Sequence, residues 1–324
     1  MSGPPMLDHT PGEVPATRPR IDLVVVTYNS EGEIGGFLDS LDALDGASLR
    51  VLVTDNASAD ATLALARDHP RAVEVIETGA NLGYAAAINA AAGHVRDDAL
   101  LVIANPDVRF RAPFLGPVLA AIAEPGIGIV APMLVDEHGE PLPSLRRDPA
   151  VRRALAEAVL GGHRAGRLGL GELVTEPSAY RREQDASWVT GALLVVTPEC
   201  RQRVGAWDES FFLYSEETDY QIRVRQAGLR VRYIPRAVAF HRGGASHVDP
   251  WLWGTLTRNR VRLFRAYHGP IHTVAFWLAV TLNELVRTPR SPIHRRAARE
   301  LICRAWSLIV PARTNPVRNH GGSR

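Results

Sequence analysis

The chain has 324 residues, of which 46% are hydrophobic and 22% are charged, and this balance excludes a wholly disordered or fibrous protein. Its two cysteines, Cys200 and Cys303, are too few for a disulfide framework or a cysteine-rich zinc site, so a reduced, cytoplasmic setting is expected. Residues 1–20 are rich in proline, glycine, threonine and acidic residues and lack an apolar core, which predicts a disordered leader rather than a signal peptide.

Charge is distributed unevenly along the chain. Residues 251–324 carry 13 arginines against two acidic residues, a net charge of +11, so residues 1–250 carry −9 of the total of +2. A basic segment beside an acidic body indicates a polyanionic partner, either a membrane surface or nucleic acid. No nucleic-acid-binding module accompanies the charge, so a membrane partner is favoured and no nucleic acid is expected.

The first part of the chain predicts alternating strands and helices. Strands are predicted at residues 21–27, 49–54, 73–77 and 99–104, with helices at residues 31–44, 59–69 and 83–95. The strands are short apolar runs, as expected for strands buried on both faces of a sheet. Alternation at this spacing predicts an α/β fold with a doubly wound, mostly parallel sheet and flanking helices.

The regular alternation ends near residue 129. Beyond it the sequence predicts a helix at residues 150–160 between variable loops and a glycine-bearing strand at residues 187–197. A helix ending at Gln226 and a strand at residues 229–234 follow.

Three predicted strands end in polar residues, and ligands of such sheets bind beyond the carboxyl ends of the strands. The ends carry Thr27-Tyr28-Asn29, Asp55-Asn56 and Asn105-Pro106-Asp107. Hard divalent cations that stabilise a leaving diphosphate prefer oxygen ligands of this kind. An extended backbone would put the side chains of Asn105 and Asp107 on one side, and an ordinary turn is the alternative interpretation.

A second candidate anion site lies at Asn81 and Gly83. Gly83 permits a close backbone approach at the start of an alanine-rich helix, whose N-terminal N–H groups can bind a diphosphate. The alternative is a plain helix start with small residues that pack tightly on the sheet.

The segment Trp207–Tyr220 combines five acidic residues with aromatic ones. A carboxylate at the edge of an apolar wall acquires a raised pKa and can accept a proton from an acceptor hydroxyl. Enrichment of acids at a helix N terminus is the alternative, and it explains only some of them. His241 follows the next strand beside two glycines and is a candidate metal ligand.

The order and spacing of these segments resemble the inverting glycosyltransferases of family 2, which have the GT-A fold. Within the family the chain looks most like the rhamnosyltransferase-like branch that extends polyprenyl-linked cell-wall or surface polysaccharides. The resemblance covers about Asp22–Ser246 and rests on Val25–Asn29, Asp55–Asp60, Asn81–Asn89, Asn105–Asp107 and Phe212–Asp219.

The resemblance implies roles for individual residues. Nucleotide-sugar binding falls to Thr27, Tyr28, Asn29, Asp55, Asn56, Asn81, Gly83, Asn89, Asn105 and Asp107. Asp107 would bind Mg²⁺ or Mn²⁺ with His241 as a further candidate ligand, and Trp188 and Gly191 would border the acceptor pocket. Glu217 falls where the family commonly has its catalytic base.

Two positions depart from the pattern of the family. The common metal motif has Asp at both ends, and Asn105 replaces the first. The base position carries Glu rather than Asp. The extra methylene of Glu shifts the carboxylate, so Glu216 and Asp219 are alternative catalytic acids.

The resemblance also implies a domain organisation and a reaction. A catalytic domain is expected at residues 21–250, with a nucleotide-sugar half at about 21–130 and an acceptor half at about 131–250. The expected reaction moves a sugar, with rhamnose as the first candidate, from a nucleotide diphosphate to a hydroxyl of a glycan or polyprenyl-linked acceptor.

Two other functions compete with this one. A sugar-phosphate nucleotidyltransferase would need a glycine-rich, basic loop after the first strand to bind a triphosphate. Residues Tyr28–Glu31 are neither glycine-rich nor basic. A non-catalytic nucleotide- or sugar-binding protein at the membrane is the second competitor.

Residues 251–324 are expected to form a basic helical region. The apolar segment 271–286 is shorter than the roughly 20 residues of a spanning helix, and residues 301–310 repeat its mixture of apolar and basic side chains. Such helices predict peripheral contact with the inner face of the cell membrane. Ordinary packing on the catalytic domain is the alternative.

Overall fold

A computed structural model describes residues 18–243 and 249–310, so most of the predicted leader, Ser246 and residues 311–324 lie outside the described residues. The strands are β1 (Arg20–Thr27), β2 (Ser48–Asp55), β3 (Glu74–Glu77), β4 (Leu100–Ala104), β5 (Val108–Arg111), β6 (Ile127–Val135), β7 (Leu145–Arg146), β8 (Gln184–Asp185), β9 (Trp188–Val189), β10 (Leu193–Val196) and β11 (Arg230–His241). The helices are α1 (Ile34–Asp39), α2 (Thr62–Arg67), α3 (Tyr84–Ala92), α4 (Leu115–Ile122), α5 (Val151–Leu160), α6 (Gly162–Arg167), α7 (Pro198–Val204), α8 (Glu216–Gln226), α9 (Pro250–Tyr267), α10 (Pro270–Arg287), α11 (Pro292–Cys303) and α12 (Ala305–Ile309).

The main sheet has the strand order β3-β2-β1-β4-β10-β6-β11-β5, and β8 also pairs with β11. The pairs β1/β2, β1/β4, β2/β3 and β6/β11 are parallel, whereas β5, β8 and β10 run antiparallel to their neighbours. The predicted α/β class with a mostly parallel sheet is therefore confirmed.

The sheet is buried on both faces, as its continuous apolar strands predict. On one face Leu23 and Val25 pack in the same core as Phe37 of α1. On the other face Val24 packs in a second core with Ile88 of α3. These two cores fix the ends of β1, β2 and β4 at one edge of the sheet.

The structure differs from the predicted elements in the second part of the chain. The predicted strand at residues 187–197 divides into β9 and β10, with Gly191 in the break between them. β11 is longer than predicted and continues to His241 through a register irregularity between Ile234 and Val238. This extension matters because it carries His241 to the carboxyl end of β4.

The C-terminal helices pack on one another and on α5. Val261 and Phe264 of α9, Phe276 and Val280 of α10 and Leu301 of α11 form a third core, which Ala154 of α5 joins. The predicted helices at residues 271–286 and 301–310 are observed as α10 and as the end of α11 with α12, and the long helix α9 begins the helical region expected from residue 251. Within residues 18–243 and 249–310, no helix is long and apolar enough to cross a bilayer.

Candidate active site

Asp55 is buried at the end of β2 and organises the adjoining loop. Its carboxylate accepts hydrogen bonds from Thr27 Oγ1 at 2.7 Å and from the backbone N–H and hydroxyl of Ser58 at 2.8 and 2.6 Å. The parallel register that pairs Thr27 with Asp55 makes the first bond. Tyr28, by contrast, is 52% exposed.

Asn29 and Asn56 join the strand ends to one another. Asn29, which has a positive φ of 49°, accepts a hydrogen bond from Ala59 N at 2.8 Å, and its own N–H donates to Ser58 Oγ at 2.9 Å. Asn56 is buried and donates from Nδ2 to the carbonyl of Gly83 at 3.1 Å. Both residues therefore shape the edge on which a donor would lie.

Gly83 lies against the backbone of Phe212 rather than in an open groove. It has a φ of 88°, and a Cβ atom would come within 2.2 Å of the Phe212 carbonyl oxygen. Tyr84 N donates to that carbonyl at 2.9 Å, so the N terminus of α3 is partly occupied by protein. Asn81 Oδ1 accepts from Gly83 N at 3.2 Å and supports the same turn.

Asn89 holds α3 to the loop that precedes α8. Its Nδ2 donates to Trp207 O and to Glu209 Oε1, both at 2.9 Å, and its Oδ1 accepts from Trp207 N at 2.9 Å. All of its side-chain hydrogen-bonding atoms are thus engaged within the protein. The structure gives Asn89 an anchoring position, apart from the residues that surround Asp107.

Asn105-Pro106-Asp107 forms a turn, in which Val108 N donates to Asn105 O at 3.2 Å. The expected extended geometry is therefore wrong, and the alternative of a turn is correct. The antiparallel register of β5 and β11 pairs Val108 with His241. This pairing brings His241 Nε2 to 3.4 Å from Asp107 Oδ2, which also accepts from Gly243 N at 3.2 Å.

Asp107 is electrostatically suited to remain ionised. Burial acts to raise the pKa of its carboxyl, but the hydrogen bond and charge of His241 and the N–H of Gly243 outweigh it, and the pKa is lowered. The side chain keeps 24% of its surface exposed. A partly exposed carboxylate beside an imidazole is a donor set that suits a divalent cation.

The protein supplies few ligands for such a cation. Among the described residues, no group of three or more His, Cys, Asp and Glu side chains converges on one point. Asp107 and His241 therefore fit a cation that takes its remaining ligands from the phosphates of a nucleotide and from water, as Mg²⁺ commonly does.

Glu216 and Glu217 lie at the start of α8 with buried carboxyl groups, whereas Asp219 is paired. For each glutamate, Oε2 has no hydrogen-bond partner among the described residues. Asp219 binds Arg223 Nε at 2.9 Å and accepts the hydroxyl of Tyr267 at 2.6 Å. Asp219 thus fastens α8 to its surroundings, and the two glutamates remain as candidate acids or bases.

Burial raises the pKa values of both glutamates, and more strongly for Glu216. Burial and the neighbouring Glu217 raise the pKa of Glu216 well above its usual range. Burial also raises the pKa of Glu217. Backbone N–H groups act in the opposite direction on both glutamates, and the charge of Arg146 does so on Glu217. The charge of Arg146 thus favours the ionised form of Glu217.

A cavity of about 520 Å³ lies between these glutamates and the C-terminal helices. Of the predicted site residues, it is lined by Asn105, Trp188, Gly191, Glu216, Glu217 and His241. A Cβ atom on Gly191 would lie 3.0 Å from Glu217 Cβ. Glycine at this position lets the glutamate side chain lie directly against the segment that joins β9 to β10.

The loop before α8 is held in an unfavourable backbone conformation. Tyr214 and Ser215 have φ angles of 66° and 78°, a region that costs non-glycine residues about 1–2 kcal/mol each. Nδ2 of Asn259, which is buried in α9, donates to the carbonyls of Leu213 at 2.9 Å and Tyr214 at 3.2 Å. A C-terminal helix therefore positions the glutamates at the start of α8.

Replacing Asn259 with Asp is expected to lower kcat by about tenfold, because loss of the two hydrogen bonds from Nδ2, worth about 1 kcal/mol each, releases the loop. Aspartate has the same shape but lacks the N–H₂ donor. Asn259→Ala should give a similar loss. Steady-state turnover and the thermal midpoint should be measured together, and wild-type kcat in a folded N259D protein would contradict this role.

Sequence reasoning missed Tyr84, Arg146 and Asn259. Tyr84 lies in the cavity wall and donates from its hydroxyl to Gly191 O at 3.4 Å. Its proximity to a glycine motif was a usable signal. Arg146 and Asn259 had none, because every basic residue of the chain is arginine and α9 lies outside the motif segments.

The chain matches known glycosyltransferases in sequence. The family described as glycosyl transferase family 2 matches residues 22–180. The N-acetylglucosaminyl-diphospho-decaprenol L-rhamnosyltransferase of Mycobacterium tuberculosis is 32% identical over 252 residues, which cover 71% of this chain and 78% of that protein. Rhamnosyltransferase WbbL of Escherichia coli is 23% identical over 235 residues, which cover 70% and 84%.

The fold has solved counterparts as well. The mannosyltransferase PcManGT of Pyrobaculum calidifontis, in complex with GDP-Man and Mn²⁺, superimposes with a TM-score of 0.54 at 20% identity. The superposition covers 90% of this chain and 77% of that chain. This likeness supports the GT-A fold, and the sequence matches go further: the chain belongs to glycosyl transferase family 2 and is a glycosyltransferase.

Proposed function

We propose that this glycosyltransferase moves rhamnose from a nucleoside diphosphate to a hydroxyl of a polyprenyl-diphosphate-linked amino sugar. The observation that carries the proposal is the cavity itself, which joins Glu217 to the C-terminal helices beside a candidate metal-binding pair, Asp107 and His241. The choice of rhamnose and of the acceptor rests on the likeness to the mycobacterial rhamnosyltransferase.

The proposed reaction is a direct displacement with inversion. The donor lies at the carboxyl ends of β1, β2 and β4, where Tyr28 is exposed and the Asp107 carboxylate is ionised. Glu217 accepts the proton of the acceptor hydroxyl as the oxygen attacks the anomeric carbon. Glu216 stays protonated beside it, because burial strongly disfavours a second negative charge.

Asp107 and His241 would hold Mg²⁺ or Mn²⁺ at the diphosphate end of the donor. A bound cation supplies charge neutralisation to the leaving nucleoside diphosphate. Asn105, at the cavity wall beside them, offers an amide oxygen where relatives commonly offer a carboxylate. We therefore infer that this protein depends more heavily on the phosphate oxygens of the donor for its cation.

A transfer assay tests the proposal. It contains the protein, Mn²⁺, a panel of nucleotide sugars and an acceptor such as farnesyl-diphosphate-linked N-acetylglucosamine. Thymidine diphosphate-rhamnose should release nucleoside diphosphate and give a disaccharide-linked product, seen by mass spectrometry. Transfer from another nucleotide sugar only would refute the choice of rhamnose. No transfer from any donor would refute the proposed reaction.

We also propose that the C-terminal helices contact an anionic membrane surface. α10 exposes an apolar stripe, here called the α10 stripe, made of Ile271, Val274, Leu278, Leu282 and Leu285. On α11, helical spacing puts Arg295, Arg299 and Ile302 on one face, and these three residues and Trp306 of α12 are exposed. Apolar and cationic side chains in this combination suit the interface of a bilayer with anionic lipid.

Replacing Leu278 and Leu282 with serine should reduce binding to vesicles that contain phosphatidylglycerol by several-fold, because apolar area that would enter the interface is lost. Cosedimentation measures the bound fraction. Leu65→Ser, at a comparably exposed leucine of α2, is the matched control. Equal binding of the double variant and wild type would exclude the α10 stripe as the contact.

A further inference from the structure

The cavity that contains Glu216 and Glu217 extends to the C-terminal helices, away from the strand ends where the donor is proposed to bind. Its far wall is formed by Leu173 and by Trp253, Leu256 and Leu263 of α9, and it also carries three arginines, Arg146, Arg260 and Arg287. A mainly apolar wall with a few cations suits a ligand that has both an isoprenoid chain and a phosphate group.

We propose that this part of the cavity binds the diphosphate of the lipid-linked acceptor, and that Arg146 is the residue that contacts it. The inference rests on the proposed function for the identity of the acceptor. It adds a binding residue and a direction of entry, with the sugar at Glu217 and the prenyl chain toward α10.

Arg146 is a cation of this cavity whose charge acts to lower the pKa of Glu217. Its Nη1 donates to the carbonyls of Pro143 at 2.6 Å and Leu145 at 3.1 Å, and its guanidinium lies 5.7 Å from the ring centroid of Trp188. In the described part of the chain, no carboxylate forms an ion pair with it. Arg146 lines the cavity, where an anion would satisfy its remaining donors.

Arg260, in the same cavity, differs from Arg146 because it forms ion pairs with carboxylates. It binds Glu157 at 3.0 Å and Glu172 at 2.5 Å, so its charge is compensated by the protein. Burial lowers the pKa of Arg146, as expected for a cation without such a partner. Desolvation therefore disfavours the charge of Arg146, and an anionic ligand would offset that cost.

Arg146 and Glu217 are held in one rigid frame. Arg146 pairs with Trp188 between β7 and β9. The next residue, Val189, exchanges two hydrogen bonds of 2.8 Å with the side-chain amide of Gln221 in α8. Nε2 of Gln221 also donates to the carbonyl of Glu217 at 3.0 Å. The cation and the base are therefore fixed relative to each other, as a single sugar between hydroxyl and diphosphate requires.

The other end of the cavity meets the surface proposed to touch the membrane. Asn283 and Arg287 line it, and both belong to α10, next to Leu282 and Leu285 of the α10 stripe. Arg287 donates to the carbonyls of Glu157 at 2.9 Å and Asn283 at 2.7 Å. A prenyl chain that leaves the cavity here would pass directly into the bilayer.

The test is calorimetric titration of farnesyl diphosphate without divalent cation, into wild type, Arg146→Gln, Arg146→Lys and the control Arg152→Gln. Arg152 is an exposed arginine of α5. We expect R146Q to weaken binding at least tenfold, R146K to weaken it less, and R152Q to stay within twofold of wild type. Farnesol should bind more weakly than farnesyl diphosphate to wild type, and R146Q should remove most of that difference.

Several outcomes would overturn the inference. Equal affinity of R146Q and wild type would do so, as would equal affinity of wild type for farnesol and farnesyl diphosphate, or no binding by wild type. If R146Q is unfolded by its thermal midpoint, R146K decides, since it keeps a charge but loses the planar fork. Arg146-dependent binding without sugar transfer would refute only the proposed function, whereas transfer with Arg146-independent binding would refute only this inference.

Discussion

Glu217→Gln is expected to reduce kcat by about 10²–10⁴-fold, the usual contribution of a general base. Glutamine fills the same space against Gly191 but cannot accept the proton of the acceptor hydroxyl. The activity of the wild-type protein should fall as the pH decreases through the raised pKa of Glu217, because only the ionised form of Glu217 is a base. The pH dependence of kcat/KM measures this limb, which should lie above the usual range of a glutamate.

The neighbouring glutamate supplies the sharpest comparison. Glu216→Gln mimics the protonated carboxyl that the structure favours at this position, so it should lose much less activity than E217Q. Glu137→Gln, at an exposed loop residue, is the matched control and should behave as wild type. If E216Q abolished transfer while E217Q kept it, the base would be Glu216 and the electrostatic ordering of the pair would be wrong.

Asp107→Ala is expected to lower kcat by about 10²–10³-fold, the range seen when one group that stabilises developing negative charge is removed. The variant should also lose most of its response to added Mn²⁺, because His241 alone would remain of the candidate pair. Titrating Mn²⁺ in the transfer assay measures both effects. Asp97→Ala removes an exposed aspartate and should behave as wild type.

Asn105 allows the opposite change. Asn105→Asp adds a carboxylate at the turn with Asp107 and should lower the Mn²⁺ concentration that gives half-maximal activity. Full Mn²⁺-dependent activity in D107A, or no effect of Mn²⁺ on wild type, would place the cation elsewhere or remove it from the reaction.

The sequence predicted the sheet edge well because each contribution to it is local. Short apolar runs predict the strands, and Thr27, Asp55 and Asn105 end them within one residue of the observed positions. Their parallel arrangement follows from the helices between them. The motif order also predicted the residues that surround Glu217 in the cavity, including Trp188 and Gly191.

The rest of the site depends on contacts between distant segments. His241 reaches Asp107 only because β11 continues past its irregularity and pairs antiparallel with β5. Asn259 reaches the loop before α8 from a helix that no motif marks. Neither contact leaves a periodic or compositional pattern, so local sequence reasoning could not predict them.

Because of the buried amide of Asn259, the shortest active form of the chain must include α9. Every motif residue precedes residue 250, yet the backbone conformation of Tyr214 and Ser215 is maintained from α9. A chimaera that exchanges the C-terminal helices between relatives would thus alter the catalytic loop as well as the surface it joins. The helices and the loop form one structural unit, and acceptor choice and turnover should change together when the helices are exchanged.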